Sequence, residues 1–420
     1  MSGPQALGRT AWAVPPFYQT LFLSQLRKLD RGTLHLTLPS GQKLRFGQSE
    51  ESPEDEVAQI QVRSNRFFKR CILFGDIGFG EAYTDGDWET NDLTGVIRWL
   101  ILNWQNNPGI SGSQASRWGI GLMRVLNRLA HLAKDNDHSG SVKNISAHYD
   151  LGNPLFESFL DPSLTYSCAD YSQGATTLEQ AQLDKLDRMA RALRVRPEDH
   201  ILEIGGGWGA LAIHLALKYG CRVTTITVSR EQLAKIQERI ASHGLADRVT
   251  ARFEDYRRVQ GHFDKVVSIE MLEAVGHKHL PEFYATVERV LRPEGLLGVQ
   301  VITSADSRYA QLRRGVDWTQ KHIFPGSLIP SLAALTQAAS RTSKLQIFSL
   351  YDMGPDYART LDEWRKRFNR RFPSLQLKGF DDKFGRAWNY YFSYCEAAFA
   401  ARHISVVQMV YTRPNNGTLT

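Results

Sequence analysis

A chain of 420 residues, 42% hydrophobic and 23% charged, has the composition of an ordinary globular protein and is long enough for two domains. It contains no apolar run near the ~18 residues of a membrane-spanning helix, and no charged start followed by a long apolar core, which excludes a secretory signal. Four scattered cysteines without a CxxC pair exclude a disulfide frame or zinc site and fit a reducing cytoplasm, while a net charge of +7 favours a polyanionic partner, either nucleic acid or an anionic membrane surface.

In chain order, residues 15–104 read as a small mixed α+β domain. "GTLHLTLPSGQKLRFG" (32–47) alternates apolar and polar residues around Pro-Ser-Gly, a hairpin signal, and "DLTGVIRWLILNW" (92–104) reads as a mostly buried helix. No catalytic constellation stands out there. Two polar, glycine-rich stretches follow, 106–114 and 134–144. Between them Trp118, Leu122, Val125, Leu126, Leu129 and Leu132 keep helical spacing, with Arg117, Arg124, Arg128 and His131 on another face. This is a basic amphipathic helix, either a linker helix packed on the protein or a membrane-surface anchor. The expected division is an N-terminal accessory, lipid-docking domain over 1–106, a linker over 107–143 and a catalytic domain over 144–420.

From about residue 199 strands and helices alternate. Strands are expected at 200–204, 222–228, 249–253, 263–269 and 296–302, and helices at 210–220, 230–244 and 278–292. Such alternation requires crossover connections, so a parallel, doubly wound α/β sheet follows. Two helical segments, "DEWRKRFNRRFP" and "DDKFGRAWNYYFSYCEAAFAAR", precede a last strand at 405–412.

Chemistry concentrates at the strand ends. "ILEIGGGWG" puts Gly205, Gly206, Gly207 and Gly209 between the first strand and its helix, where backbone amides can approach a ligand. Leu211 stands where a GxGxxG turn needs Gly or Ala, and the second strand ends in "TVSREQ" rather than in a ribose-binding acid, which disfavours NAD. "VVSIEMLEAVGH" (266–277) runs as a buried strand into two glutamates, Glu270 and Glu273, with no Lys or Arg within four residues of Glu273.

Seven segments occur in an order that resembles the cyclopropane-fatty-acyl-phospholipid synthases, relatives of the mycolic acid cyclopropane synthases. They are "SAHYDLGNPLFESFLDPSLTYSCADY", "ILEIGGGWGALAIHLA", "TVSREQ", "FEDYR", "SIEMLEAVG", "KHIFPGSLIPS" and "YYFSYCEAAFAARHI". "FFKRCILFGDIGFGEAYTDGDWE" extends the likeness into the N-terminal domain, as in longer bacterial members. The resemblance implies a class I S-adenosylmethionine (SAM)-dependent methyltransferase fold, Rossmann-like. It implies a SAM site at Tyr166, Ser167, Glu203, Gly205–Gly207, Thr227, Gln232, Phe253 and Glu254. Physics agrees in part. Glu203 can face the charged methionine end of SAM, and aromatic faces favour a sulfonium cation. For Thr227 and Gln232 the plainer alternative is helix capping within "TVSREQ".

In the family reaction a cis double bond attacks the SAM methyl group in a dry site, and a proton must leave the new methyl before the ring closes. The resemblance implies bicarbonate as the acceptor of that proton. Its cradle would fall on the Cys168 backbone, Glu273, the Ile302 backbone, Tyr357 and Gln300. Gln300 stands where the best-known members carry histidine; its amide can hydrogen-bond bicarbonate but cannot titrate. On this reading Glu273 orients the bound base, and Glu270 is unassigned, with a structural role expected. Cys168 is expected to act through its backbone, without a base partner for its thiol. Cys395 matches a family cysteine once considered catalytic and is expected to line the acyl tunnel.

The expected protein is therefore cytoplasmic and peripheral at the inner face of the membrane, converting unsaturated phospholipid acyl chains to cyclopropane fatty acids. A homodimer is the family's habit. Two alternatives stand beside it: C-methylation to a methylene or methyl-branched chain without ring closure, and a silent lipid- or SAM-binding protein. A nucleic-acid methyltransferase is disfavoured by the lack of a DPPY-like or NPPF-like motif.

Overall fold

The computed structural model describes residues 16–47, 57–104 and 152–419. The chain forms two compact units, Met1–Ile120 and Gly121–Thr420. The linker expected over 107–143, with its basic amphipathic helix, lies outside the described residues.

In the first unit, helix α1 (Pro16–Leu26) precedes strands β1 (Thr33–Thr37), β2 (Lys43–Gly47) and β3 (Val57–Val62). Helix α2 (Arg66–Thr84), the short β4 (Trp88–Glu89) and α3 (Leu93–Trp104) complete it. The expected hairpin forms, with Thr33 opposite Gly47 and Thr37 opposite Lys43. Gly47 has φ +94°, and a Cβ there would lie 1.9 Å from the Gly32 carbonyl oxygen, so only glycine fits. Leu34, Leu36, Ala58, Ile60 and Val62 alternate inward as the period of a half-buried strand demands. Trp88 is fully buried and its indole N–H donates to the Phe79 carbonyl at 3.0 Å.

Among the described residues the second unit opens with helices α4 (Asn153–Phe159) and α5 (Leu178–Ala192). An alternating run follows: β5 (His200–Ile204), α6 (Ala210–Tyr219), β6 (Arg222–Thr227), α7 (Arg230–Ser242), β7 (Val249–Phe253), β8 (Phe263–Ile269), α8 (Leu280–Val290) and β9 (Leu291–Ser304). The chain ends with α9 (Asp306–Leu312), α10 (Trp318–His322), α11 (Leu332–Thr342), β10 (Gln346–Asp352), α12 (Gly354–Gln376), α13 (Asp382–Ala400) and β11 (Ile404–Thr412).

The strands form one seven-stranded sheet in the order β10-β11-β9-β8-β5-β6-β7. Strands β7, β6, β5, β8 and β9 are parallel, as the alternation requires. The expectation of a wholly parallel sheet needs correcting, because β11 runs antiparallel between β9 and β10. The edge strand β10 was not anticipated. Its residues are mostly exposed, so the apolar run that marks an inner strand is missing.

Neighbouring residues of the inner strands feed different apolar clusters. Leu202 and Val266 pack with α8 residues Phe283, Tyr284 and Val287, whereas Ile201 and Val267 pack with α5, α6 and α7 residues Met189, Leu215 and Ile236. Both sheet faces are therefore covered, which is why these strands read as continuous apolar runs. Each such side chain contributes roughly 1.5–3 kcal/mol by burial. That leaves the C-terminal strand ends as the open ends of the sheet, where Glu203, Thr227, Phe253 and the β8 glutamates lie.

Candidate functional site

The glycine turn leaves β5 and enters α6. Gly205 and Gly206 both donate their N–H to the Ile226 carbonyl at 3.0 Å, tying the turn to β6. Gly205, Gly207 and Gly209 all have positive φ. A Cβ on Gly206 would come within 2.0 Å of Thr225 Oγ1, so that position is closed by the protein itself. Above Gly207, by contrast, nothing among the described residues lies within 4 Å of a built Cβ. Backbone is presented to open space there.

Beside the turn, Glu203 is 3% exposed and its Oε2 has no hydrogen-bond partner among the described residues. Burial lifts its pKa to about 7. A buried carboxyl at the end of β5, beside the glycine turn, suits a cationic ligand group, so the residues present fit the amino-acid end of SAM.

At the ends of the next two strands, Thr227 pairs with Phe253 in register, and the Glu254 N–H donates to the Thr227 carbonyl at 3.1 Å. The Thr227 hydroxyl donates to Gln232 Oε1 at 2.7 Å and accepts from the Ser229 N–H at 3.1 Å. Ser229, not Thr227, caps α7, accepting from the Gln232 N–H. Phe253 is 40% exposed beneath the Arg230 guanidinium, 4.6 Å from its centroid, and Glu254 lies 3.8 Å from Arg252.

The segment after α4 supplies the opposite wall. Tyr166 shares a 3.0 Å hydroxyl hydrogen bond with Tyr391 and packs against Phe156, Phe159 and Trp364. Ser167 is buried; its hydroxyl accepts from Lys185 Nζ at 2.6 Å and its carbonyl from Gln182 Nε2 at 2.9 Å. Lys185 is fully buried, which lowers its pKa to about 8 against the opposing pull of Glu270 and Glu203. The sequence signal for it was a lysine on the apolar face of α5, four residues from both Ala181 and Met189.

At the end of β8 the two glutamates are held by different partners. Glu270 Oε1 accepts from the Cys168 N–H at 2.9 Å and from Gln300 Nε2 at 2.7 Å. Its Oε2 accepts from the Tyr357 hydroxyl at 2.6 Å. Gln300 is locked in place, since its Oε1 accepts from Gln408 Nε2 at 3.0 Å. Glu273 Oε1 takes the Ile302 N–H at 2.5 Å, and its buried Oε2 has no partner among the described residues.

Burial raises the pKa of both carboxyls. For Glu273 the charge of Glu270 adds to burial and carries it to about 8. For Glu270 the bonds from Tyr357, Cys168 and Gln300 oppose the rise. Three donors converge on Glu270 and one amide reaches Glu273, so Glu270 is the better placed of the two to hold a negative charge. Glu270, unassigned from the sequence with a structural role expected, is where the donors of this region converge.

That arrangement does not fit a bicarbonate ion. Of the cradle groups, Cys168 N–H, Gln300 and Tyr357 already donate to Glu270, and Ile302 N–H donates to Glu273. Glu273 thus holds a backbone amide rather than a bound anion.

The cysteines are placed as unreactive thiols. Cys168 is fully buried, its Sγ donating to the Ala169 carbonyl at 3.2 Å, and burial and the charge of Glu270 push its pKa well up. Cys395 on α13 is likewise raised by burial. A protonated thiol is a poor nucleophile.

Comparison with known proteins bears on the family and the fold. The mycolic acid cyclopropane synthetase family matches residues 136–409. The tuberculostearic acid methyltransferase of Mycobacterium tuberculosis is 36% identical over 84% of this chain and 82% of its own. The cyclopropane-fatty-acyl-phospholipid synthase of Escherichia coli is 34% identical over 85% of this chain and 88% of its own. A mycolic acid cyclopropane synthase solved with SAH and CTAB superposes with TM-score 0.60 at 26% identity, covering 65% of this chain and 98% of that one. The doubly wound sheet, the glycine turn and these matches agree, and the chain belongs to the mycolic acid cyclopropane synthetase family of SAM-dependent enzymes.

Proposed function

We propose that the protein adds a one-carbon unit from SAM to the cis double bond of an unsaturated phospholipid acyl chain and closes it to a cyclopropane. The observation that carries this reading is the buried carboxylate pair Glu270–Glu273, walled by the aromatic side chains around Tyr166, Tyr357 and Tyr391. SAM, when bound, supplies an electrophilic methyl group.

The chain's own residues would do the rest. Gly205–Gly207 and Glu203 would hold the amino-acid end, and Phe253 and Glu254, at the end of β7, would flank the nucleoside. The aromatic wall of Phe159, Tyr166, Trp364 and Tyr391 would exclude water from an acyl cation. Bicarbonate has no part in this scheme, since its expected donors are engaged by the chain's own carboxylates.

A net charge of +7 supports a peripheral position at the inner, anionic face of a membrane, where the proposed phospholipid substrate lies. No helix among the described residues is long and apolar enough to cross a membrane.

A second reading has its own support. The relative of 36% identity is a tuberculostearic acid methyltransferase, which favours a methyl-branched or methylene product without a ring.

The test is incubation with methyl-labelled SAM and vesicles of a cis-monounsaturated phospholipid. Fatty acid methyl esters are then separated by gas chromatography and examined by proton NMR. Upfield ring-methylene protons carry the first reading; alkene signals of an exocyclic methylene, without ring product, carry the second. No labelled lipid from any unsaturated phospholipid would overturn both.

A further inference from the structure

Resting on this proposed reaction, we infer that Glu270 is the proton acceptor, its own carboxylate occupying the place that the family resemblance reserves for bicarbonate. Three observations converge. The first is the donor set: a main-chain N–H, a side-chain amide and a phenol meet on one carboxylate, as a bound oxyanion would gather them. These donors come from three separate parts of the chain, and Gln300 is itself held by Gln408.

The second is backbone strain. Glu270 adopts φ +49°, a left-handed conformation that favours glycine and costs a longer side chain about 1 kcal/mol or more. A residue serving only to end β8 would be relaxed by glycine; the glutamate persists where its carboxylate reaches the cradle.

The third is the division of labour within the pair. Among the described residues three donors reach Glu270 and a single backbone N–H reaches Glu273, so negative charge is held best on Glu270. Within Glu270, Oε1 already receives two N–H groups while Oε2 receives only the Tyr357 hydroxyl. A carboxylate oxygen has two lone-pair sites, so Oε2 is the one left to take a proton.

The step balances. The π pair of the double bond forms the new C–C bond to the methyl carbon, the C–S bond breaks with its pair going to sulfur, and a cation is left on the second alkene carbon. Glu270 Oε2 removes a proton from the new methyl group, and the released C–H pair closes the ring. If the cation first shifts to the methyl-bearing carbon, the same proton loss gives the methylene. Glu270 ends protonated and returns the proton to solvent. No further co-reactant is needed.

The experiment compares the parent with Glu270→Gln and Glu270→Gly. In carbonate-depleted buffer the parent should turn over at an unchanged rate. Glu270→Gln, which fills the cradle with a neutral amide, should lose about 10²–10⁴-fold in turnover. It should keep SAM affinity by calorimetry and gain nothing from added bicarbonate. Glu270→Gly empties the cradle and suits the left-handed backbone, so added bicarbonate should restore turnover in a saturable way.

A readout independent of lipid turnover is titration of ¹³C-bicarbonate on SAH-loaded protein. Saturable line broadening should appear with Glu270→Gly and be absent with the parent. Bicarbonate-dependent turnover of the parent, saturable bicarbonate binding to it, or Glu270→Gln within threefold of its rate would each overturn the inference. Should the parent modify no lipid at all, the proposed reaction fails, while the bicarbonate titration still judges who occupies the cradle.

Discussion

The Tyr357 hydroxyl donates to Glu270 Oε2 across 2.6 Å, joining the first turn of α12 to the end of β8. This bond favours the ionised form of Glu270, and burial opposes it. The base strength of the site is set by their balance.

Tyr357→Phe removes that donor. A hydrogen bond to a charged group contributes about 1.5–3 kcal/mol, equivalent to roughly one to two pH units. A base must be deprotonated to act, so turnover is lost as pH falls through its pKa. Raising the Glu270 pKa should move this acid limb to higher pH, with SAM affinity unchanged. An unmoved or downward-moved limb would show that Tyr357 does not act on Glu270.

Glu273→Gln copies the shape and neutrality of the protonated carboxyl. It should keep turnover within about tenfold of the parent, well short of the loss expected for a base. In the parent, turnover should fall as pH rises through about 8, where Glu273 ionises beside Glu270. The glutamine variant should lack the part of that fall that Glu273 causes. A loss of a hundredfold or more at neutral pH would mean that Glu273 works as an anion.

Glu203 couples SAM binding to pH. Its folded-state pKa is raised to about 7 by burial. The stability this neutral carboxyl contributes is fully present below the unfolded value and lost as pH rises through about 7. A cationic ligand group reverses the preference, since it favours the ionised form. SAM affinity should therefore rise with pH through 7, and binding at pH 6 should release a proton, read as a buffer-dependent calorimetric enthalpy. Glu203→Gln should abolish both effects. Equal enthalpies in buffers of different ionisation heat would count against this pairing.

The two central glycines should fail differently. Gly206→Ala would place Cβ 2.0 Å from Thr225 Oγ1, so it should lower the melting temperature with or without SAM. Gly207→Val projects into open space where the ligand is expected and strains a backbone at φ +53°, so it should abolish SAM binding by calorimetry and lower the melting temperature through that strain rather than through a clash. A Gly207→Val variant that binds SAM like the parent would move the pocket elsewhere.

Cys168→Ala should retain turnover within about tenfold, because the group that reaches Glu270 is the main-chain N–H, which alanine also carries. A covalent lipid adduct trapped on the Cys168 thiol would refute this.

Local physics made much of the catalytic unit legible in the sequence. The β5 strand, the glycine turn and the following helices are encoded by short-range periodicity and by glycines whose positive φ no other residue adopts as readily. The helix starts were legible too, since Ser229 caps α7 from three residues away. Even Lys185 left a trace, as a charge on an apolar helix face. The sequence also located two acids at the end of β8, but their division of roles was decided by tertiary structure alone. Glu270 and Glu273 differ in what reaches them: Cys168 lies 102 residues away, Tyr357 87 and Gln300 30. The insertion of β11 between β9 and β10 is equally non-local, and it brings Gln408 to Gln300 across 108 residues. A carboxyl's ionisation depends on its burial and on the donors that converge on it, and both are set only when distant strands and helices pack together.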